Sequence, residues 1–148
     1  MSTSVILYFY KGSGLFAWAI RWFTKSRYSH VAPCVNMFVY DAFWDGVTVR
    51  AKTSLDDSAT QLIVSEDDLK WQLWLDSKVG EPYDKFAILL IIIARFLPDW
   101  LHITDTRQGI WWCSHLSGVV AGITDYSRPL TPQELFEQLT EKNENVQP

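Results

Sequence analysis

Apolar and polar positions fall in short blocks along the chain, and the spacing inside each block separates strands from helices. Val5 to Tyr10 is a β-rich run closed by Gly12-Ser13-Gly14, and it predicts a strand followed by a turn. Leu15, Trp18, Ala19 and Trp22 recur at helical spacing, which predicts a short amphipathic helix over Leu15 to Phe23. Ser29 to Val35 and Phe38 to Ala42 read as strands joined at Asn36-Met37 in a hairpin, with Val47 to Ala51 and Gln61 to Val64 as further strand candidates. Ser65-Glu66-Asp67-Asp68 has the pattern of a helix start, with Ser65 as cap, so Asp67 to Val79 is expected to be helical up to Gly80-Glu81-Pro82. Further helices are predicted over Tyr83 to Phe96, from Cys113 to about Gly122, and from Thr131-Pro132, where threonine caps and proline takes the first position. No repeat and no linker interrupts this order. The expected fold is α+β in a single domain, residues 1–140, with a polar, frayed tail at 141–148.

Composition narrows the function classes. The chain has 148 residues, 48% hydrophobic, with eight Trp, six Tyr and eight Phe. Such a length can bury a core, and this aromatic content excludes a disordered chain. A net charge of −4 without a basic stripe excludes a dedicated nucleic-acid binder. Two cysteines make neither a disulfide scaffold nor a four-thiolate zinc site. No metal-ligand spacing and no phosphate-binding glycine loop is present, so neither metal nor cofactor is expected. Met1-Ser2-Thr3-Ser4 does not open a secretory signal. The most apolar run, Phe86 to Ala94, falls short of the roughly 20 residues of a membrane span. The expectation is cytoplasmic synthesis without a transmembrane segment, with a route such as a phage particle needed for any action at the envelope. Phe96, Leu97, Trp100 and Leu101 leave room for contact with a membrane surface.

Candidate chemistry concentrates on few residues. Cys113 lies where a helix is expected to start, and the amides and dipole of a helix N-terminus favour the reactive thiolate. Taken alone, a small packing residue is the commoner role of a free cysteine. His30 opens an otherwise apolar strand. If Asn36 and Met37 form a two-residue turn, Val35 faces Phe38 and Ala32 faces Asp41, which makes His30 and Asp41 diagonal neighbours on one sheet face. An acid beside an imidazole orients the ring and stabilises its protonated form, the third role in a Cys-His-acid arrangement. Asp45, just before Gly46, reads as a turn acid. His115 is too close in sequence to Cys113 to act as its base, and Cys34 lies roughly 13 Å along the strand from His30. His102 follows a loop that specifies no role. Leu55-Asp56-Asp57-Ser58 and Ser65 to Asp68 are expected to be solvated charges, and Trp71 and Trp74 core-facing helix residues. One of Trp111 and Trp112 is expected to line a substrate groove.

Tyr8-Phe9-Tyr10-Lys11-Gly12, Ile20 to Thr24 and Tyr28-Ser29-His30-Val31 together resemble the opening of the permuted NlpC-type, papain-fold cysteine hydrolases. Val39-Tyr40-Asp41-Ala42 with Gly46-Val47, then Val79 to Asp84, Trp112-Cys113-Ser114 with Leu116, and Thr131 to Leu135 are similar to later segments of that family, in the same order. The likeness spans residue 8 to about 139. It implies a papain-like core in which the histidine strand precedes the cysteine helix. It also implies Cys113 as nucleophile, His30 as general base, Asp41 as orienting acid and Tyr83 beside the oxyanion; Trp112 is expected as a substrate contact only because it flanks Cys113. The chain departs from the family in having His115 two residues after the cysteine, and Asp41 where glutamate is commoner.

The reading is therefore a thiol hydrolase that cleaves an amide through an acyl-enzyme, on a peptide- or acyl-containing substrate. Peptidoglycan peptides are the substrate class the resemblance brings first, with acyl-lipid amides or esters as the alternative. A binding or inhibitor module that keeps the fold without the activity is the rival from another class.

Overall fold

The computed structural model describes residues 4–86, 93, 111–123 and 130–144. Within them lie five strands, β1 (Val5–Tyr10), β2 (His30–Val35), β3 (Phe38–Phe43), β4 (Gly46–Ala51) and β5 (Thr60–Ser65). Four helices accompany them: α1 (Leu15–Thr24), α2 (Asp68–Lys78), α3 (Cys113–Val120) and α4 (Pro132–Glu144). All strands join one antiparallel sheet in the order β4-β3-β2-β1-β5. The fold is α+β. The predicted helix over Tyr83 to Phe96 falls largely outside the described residues, as do His102 and the apolar stretch Phe96 to Leu101.

Alternation along β1 divides the core. Val5, Leu7 and Phe9 point to the face covered by the helices, where Val31 and Val35 of β2 meet Leu75, Leu116, Val120, Leu135 and Leu139. Tyr8 points to the other face with Ala32, Cys34 and Val39. Trp71 and Trp74 are partly buried against the helix-side core, as their spacing predicts.

Local chemistry fixes the connections. Asn36 and Met37 both have positive φ, 48° and 70°, the conformation of a two-residue hairpin turn whose twist matches the strands. Val35 accordingly pairs with Phe38, and Cys34 with Val39. At α2 the cap is Asp67, whose side chain accepts from the Lys70 amide at 3.2 Å, and not the expected Ser65. Ser65 instead receives the Asp67 amide at 3.1 Å, one step outside the helix. Thr131 and Glu134 form a reciprocal capping box at α4, with bonds of 3.2 and 2.8 Å. That helix continues through Glu144, so the expected tail boundary at 140 falls inside it.

α1 departs from expectation in its orientation. Its apolar stripe does not face the core: Leu15 is 80% exposed, Trp18 53% and Trp22 63%. Thr24 is the residue of this helix that is buried.

Candidate active site

Three elements meet at Cys113. It is the first residue of α3, after Trp112 in extended conformation, and it is buried against Leu7, Phe9, Val31 and Leu135. His30 is the first residue of β2, at the strand end. Asp41 lies on β3, across the hairpin, and its Oδ1 is 2.9 Å from Nε2 of His30. With Nε2 so engaged, Nδ1 is the ring nitrogen left for the thiol. Phe43 and Tyr10 flank the imidazole, with ring centroids 5.9 Å away in each case.

The electrostatics favour an ion pair. Burial pushes the Cys113 thiol up, but the hydrogen bond and charge of His30 outweigh it, aided by the Val31 amide and the Ser114 hydroxyl, and the thiol lies below its ordinary range. Burial opposes the charge on His30, yet its bonds to Asp41 and to the Cys113 thiolate raise the imidazole to about 10. Asp41 is opposed by burial and held down by His30 and Arg50, so it stays ionised. Cys34 is pushed the other way, upward, with burial the largest cause. The two cysteines are thus shifted in opposite directions.

Tyr83 reaches the same place from another direction. It bridges to Trp111, immediately before the cysteine turn, and the flanking bonds Asp84 N to Trp111 O and Trp111 N to Pro82 O measure 2.8 and 3.1 Å. Burial pushes the Tyr83 hydroxyl up, and the charges of Cys113 and Asp84 push it further, so it remains a donor. The segment that carries it is locked to the β3–β4 turn by Val47 N to Glu81 O at 2.9 Å and Gly80 N to Val47 O at 2.8 Å. Gly46 permits that approach: its φ is 109°, and a Cβ there would sit 2.5 Å from the Glu81 carbonyl oxygen. The Trp111 indole also donates to the Glu81 carboxylate.

Two expectations need correction. Trp112 does not line an open groove. It is 3% exposed, its ring packs 4.4 Å from that of His115, and its indole nitrogen has no hydrogen-bond partner among the described residues. Trp111 is buried as well, on the other side of His115. Asp56, which the acidic run predicts as a solvated loop charge, is 1% exposed. It receives both terminal nitrogens of Arg50, at 2.9 and 2.8 Å, and the hydroxyl of Tyr10 at 2.6 Å.

Arg50 was not among the sequence candidates, yet it completes the polar chain. Its Nε donates to Asp41 Oδ2 at 2.7 Å, on the oxygen that His30 does not use. Asp41 pairs directly with Thr48 on β4, which puts Arg50, two residues on, on the same face. A register for β4 was the signal that could have found it. Asp56 offered no such signal, because a buried acid and a solvated one look alike in an acidic run.

Comparison of the chain with protein-family models, with curated proteins and with solved structures gives no match.

Proposed function

We propose that the chain is a thiol hydrolase that cleaves an amide or ester through a Cys113 acyl-enzyme. The observation that carries this is the thiol at the start of α3, depressed in pKa by an imidazole that Asp41 holds from the far side. His30 takes the thiol proton, and the sulfur attacks the substrate carbonyl. The developing oxyanion is held by the Tyr83 hydroxyl and the Cys113 amide, donors that suit negative charge forming at a helix N-terminus. Collapse of the adduct expels the amine or alcohol, which receives its proton from His30. Water, deprotonated by the same imidazole, then attacks the thioester and frees the acid and the thiol. Arg50 and Asp56 keep Asp41 ionised and oriented.

A papain-like, permuted core is the arrangement this reading attaches to, with the histidine strand ahead of the cysteine helix. Peptide amides of peptidoglycan are the proposed substrate class. Acyl lipids are a second reading, favoured by the exposed aromatic side chains Phe43 and Trp44 beside His30 and Tyr83.

The test is hydrolysis of purified cell-wall fragments, and in parallel of a dispersed acyl lipid, by the wild type and by Cys113→Ala. The expected outcome is release of new amino or hydroxyl groups by the wild type alone on one of the two substrates. Cleavage that survives Cys113→Ala, or no cleavage of either substrate, would overturn the mechanism.

A further inference from the structure

The first forty residues contain Lys11, Arg21, Lys25 and Arg27 and no acid, within a chain whose net charge is −4. α1 is the centre of that basic segment. At about 100° per residue, Trp18, Trp22, Leu15, Ala19, Phe23 and Phe16 sweep roughly 160° of its circumference. Five of those six are large apolar side chains exposed to solvent. Trp18 and Trp22 stack at 6.1 Å with their planes 15° apart, and Phe23 meets Trp22 edge-on at 4.9 Å. Lys11 and Lys25 bracket the helix and Arg27 follows, all exposed. The first acid in the chain, Asp41, is already neutralised by His30 and Arg50.

We propose that α1 docks the protein onto an anionic phospholipid surface, lying in the headgroup layer with its tryptophans inserted and its basic neighbours against the phosphates. The chemistry is that of an interfacial helix: a wide apolar arc, aromatic side chains with one polar edge, and cations from a stretch of sequence that holds no acid before Asp41. Charge complementarity selects an anionic surface over a neutral one. The patch is also continuous with the candidate site. Phe16 meets Trp44 edge-on at 5.5 Å, Trp44 lies 6.5 Å from Tyr83, and Lys85 stands over the Trp44 ring. Docking would therefore bring the mouth of the site to the lipid surface.

The full chain is tested by co-sedimentation with vesicles of phosphatidylcholine alone and of phosphatidylcholine mixed with phosphatidylglycerol, with tryptophan emission followed in parallel. The wild type should bind the mixed vesicles at least about tenfold more tightly than the neutral ones, with a blue shift in emission and weakening by salt. Trp18→Ala/Trp22→Ala and Lys25→Glu/Arg27→Glu should each lower that binding by at least about tenfold, in exposed positions where folding is retained by circular dichroism. Cys113→Ala should bind as the wild type does, which separates docking from the hydrolase reading. Failure to bind mixed vesicles would overturn the proposal. So would binding unaffected by the tryptophan pair, or self-association that vanishes in Trp18→Ala/Trp22→Ala without vesicle binding, which would assign the face to a second copy.

Discussion

Nε2 of His30 lies 2.9 Å from Oδ1 of Asp41, and the two residues are joined through a hairpin whose turn is only Asn36 and Met37. The acid thus grips the imidazole on the nitrogen away from the thiol. This leaves one ring nitrogen for Cys113 and fixes the ring at both ends.

Alkylation of the two cysteines should separate them. Cys113 should react with iodoacetamide well below the ordinary thiol pKa of about 8.5, while Cys34, buried and shifted upward, stays slow. In His30→Ala the Cys113 rate should fall at neutral pH and recover only in alkali. Equal slow labelling of both cysteines in the wild type would count against the pair.

The proposed hydrolysis should take its pH profile from the same groups. The acid limb of kcat/KM is expected to follow ionisation of Cys113 below its usual range, and the alkaline limb loss of the His30 proton towards about 10. Asp41→Asn removes the largest cause that raises His30, so the alkaline limb should move to lower pH and the profile narrow. An unchanged alkaline limb in Asp41→Asn would assign it to another group.

Arg50 and Asp56 predict a stability effect with a defined sign. Asp56 is held low first by its bonds to Arg50, and Asp41 lies low through His30 and Arg50 against the push of burial. Carboxylates depressed in the folded state contribute stability above their unfolded value of about 3.9, and that contribution is lost as pH falls through the folded values. Arg50→Ala should cost roughly 1–3 kcal/mol near neutral pH by leaving Asp56 buried without its charged partner. Thermal melts against pH should show this loss shrinking in acid, whereas a constant loss would point to packing alone.

Tyr83→Phe tests the oxyanion role. Loss of one donor should lower kcat about a hundredfold with KM little changed. A fall carried mainly by KM would place Tyr83 in ground-state binding.

Gly46→Ala should destabilise the fold by roughly 1–3 kcal/mol, since its φ of 109° and the Glu81 carbonyl both exclude a side chain. Its melting temperature should drop while Gly80→Ala, with a strained φ of 90° but open space around it, drops less.

The elements were largely legible because each carried a local signal. Two adjacent residues able to take positive φ set the hairpin and, with it, the His30–Asp41 pair. Thr131 and Pro132 announced α4 as cap and first helical residue. What stayed hidden was which partner a face meets. The period of Leu15, Trp18 and Trp22 defines an apolar stripe whether it packs on a sheet or faces solvent, and here it faces solvent. The burial of Asp56 was hidden for a related reason: it depends on Arg50 arriving from β4 and Tyr10 from β1, contacts that no local window contains.

The hairpin has a consequence for the order in which the protein comes into being. His30 and Asp41 lie on adjacent strands and can pair as soon as that short stretch emerges and folds, a matter of microseconds for a hairpin. Cys113, the proposed nucleophile, lies in the second half of the chain and meets them only when α3 closes a long loop onto β2. Until then Cys113 keeps an ordinary, mostly protonated thiol. Reactivity of Cys113 towards electrophiles is therefore expected to report whether α3 has closed onto β2.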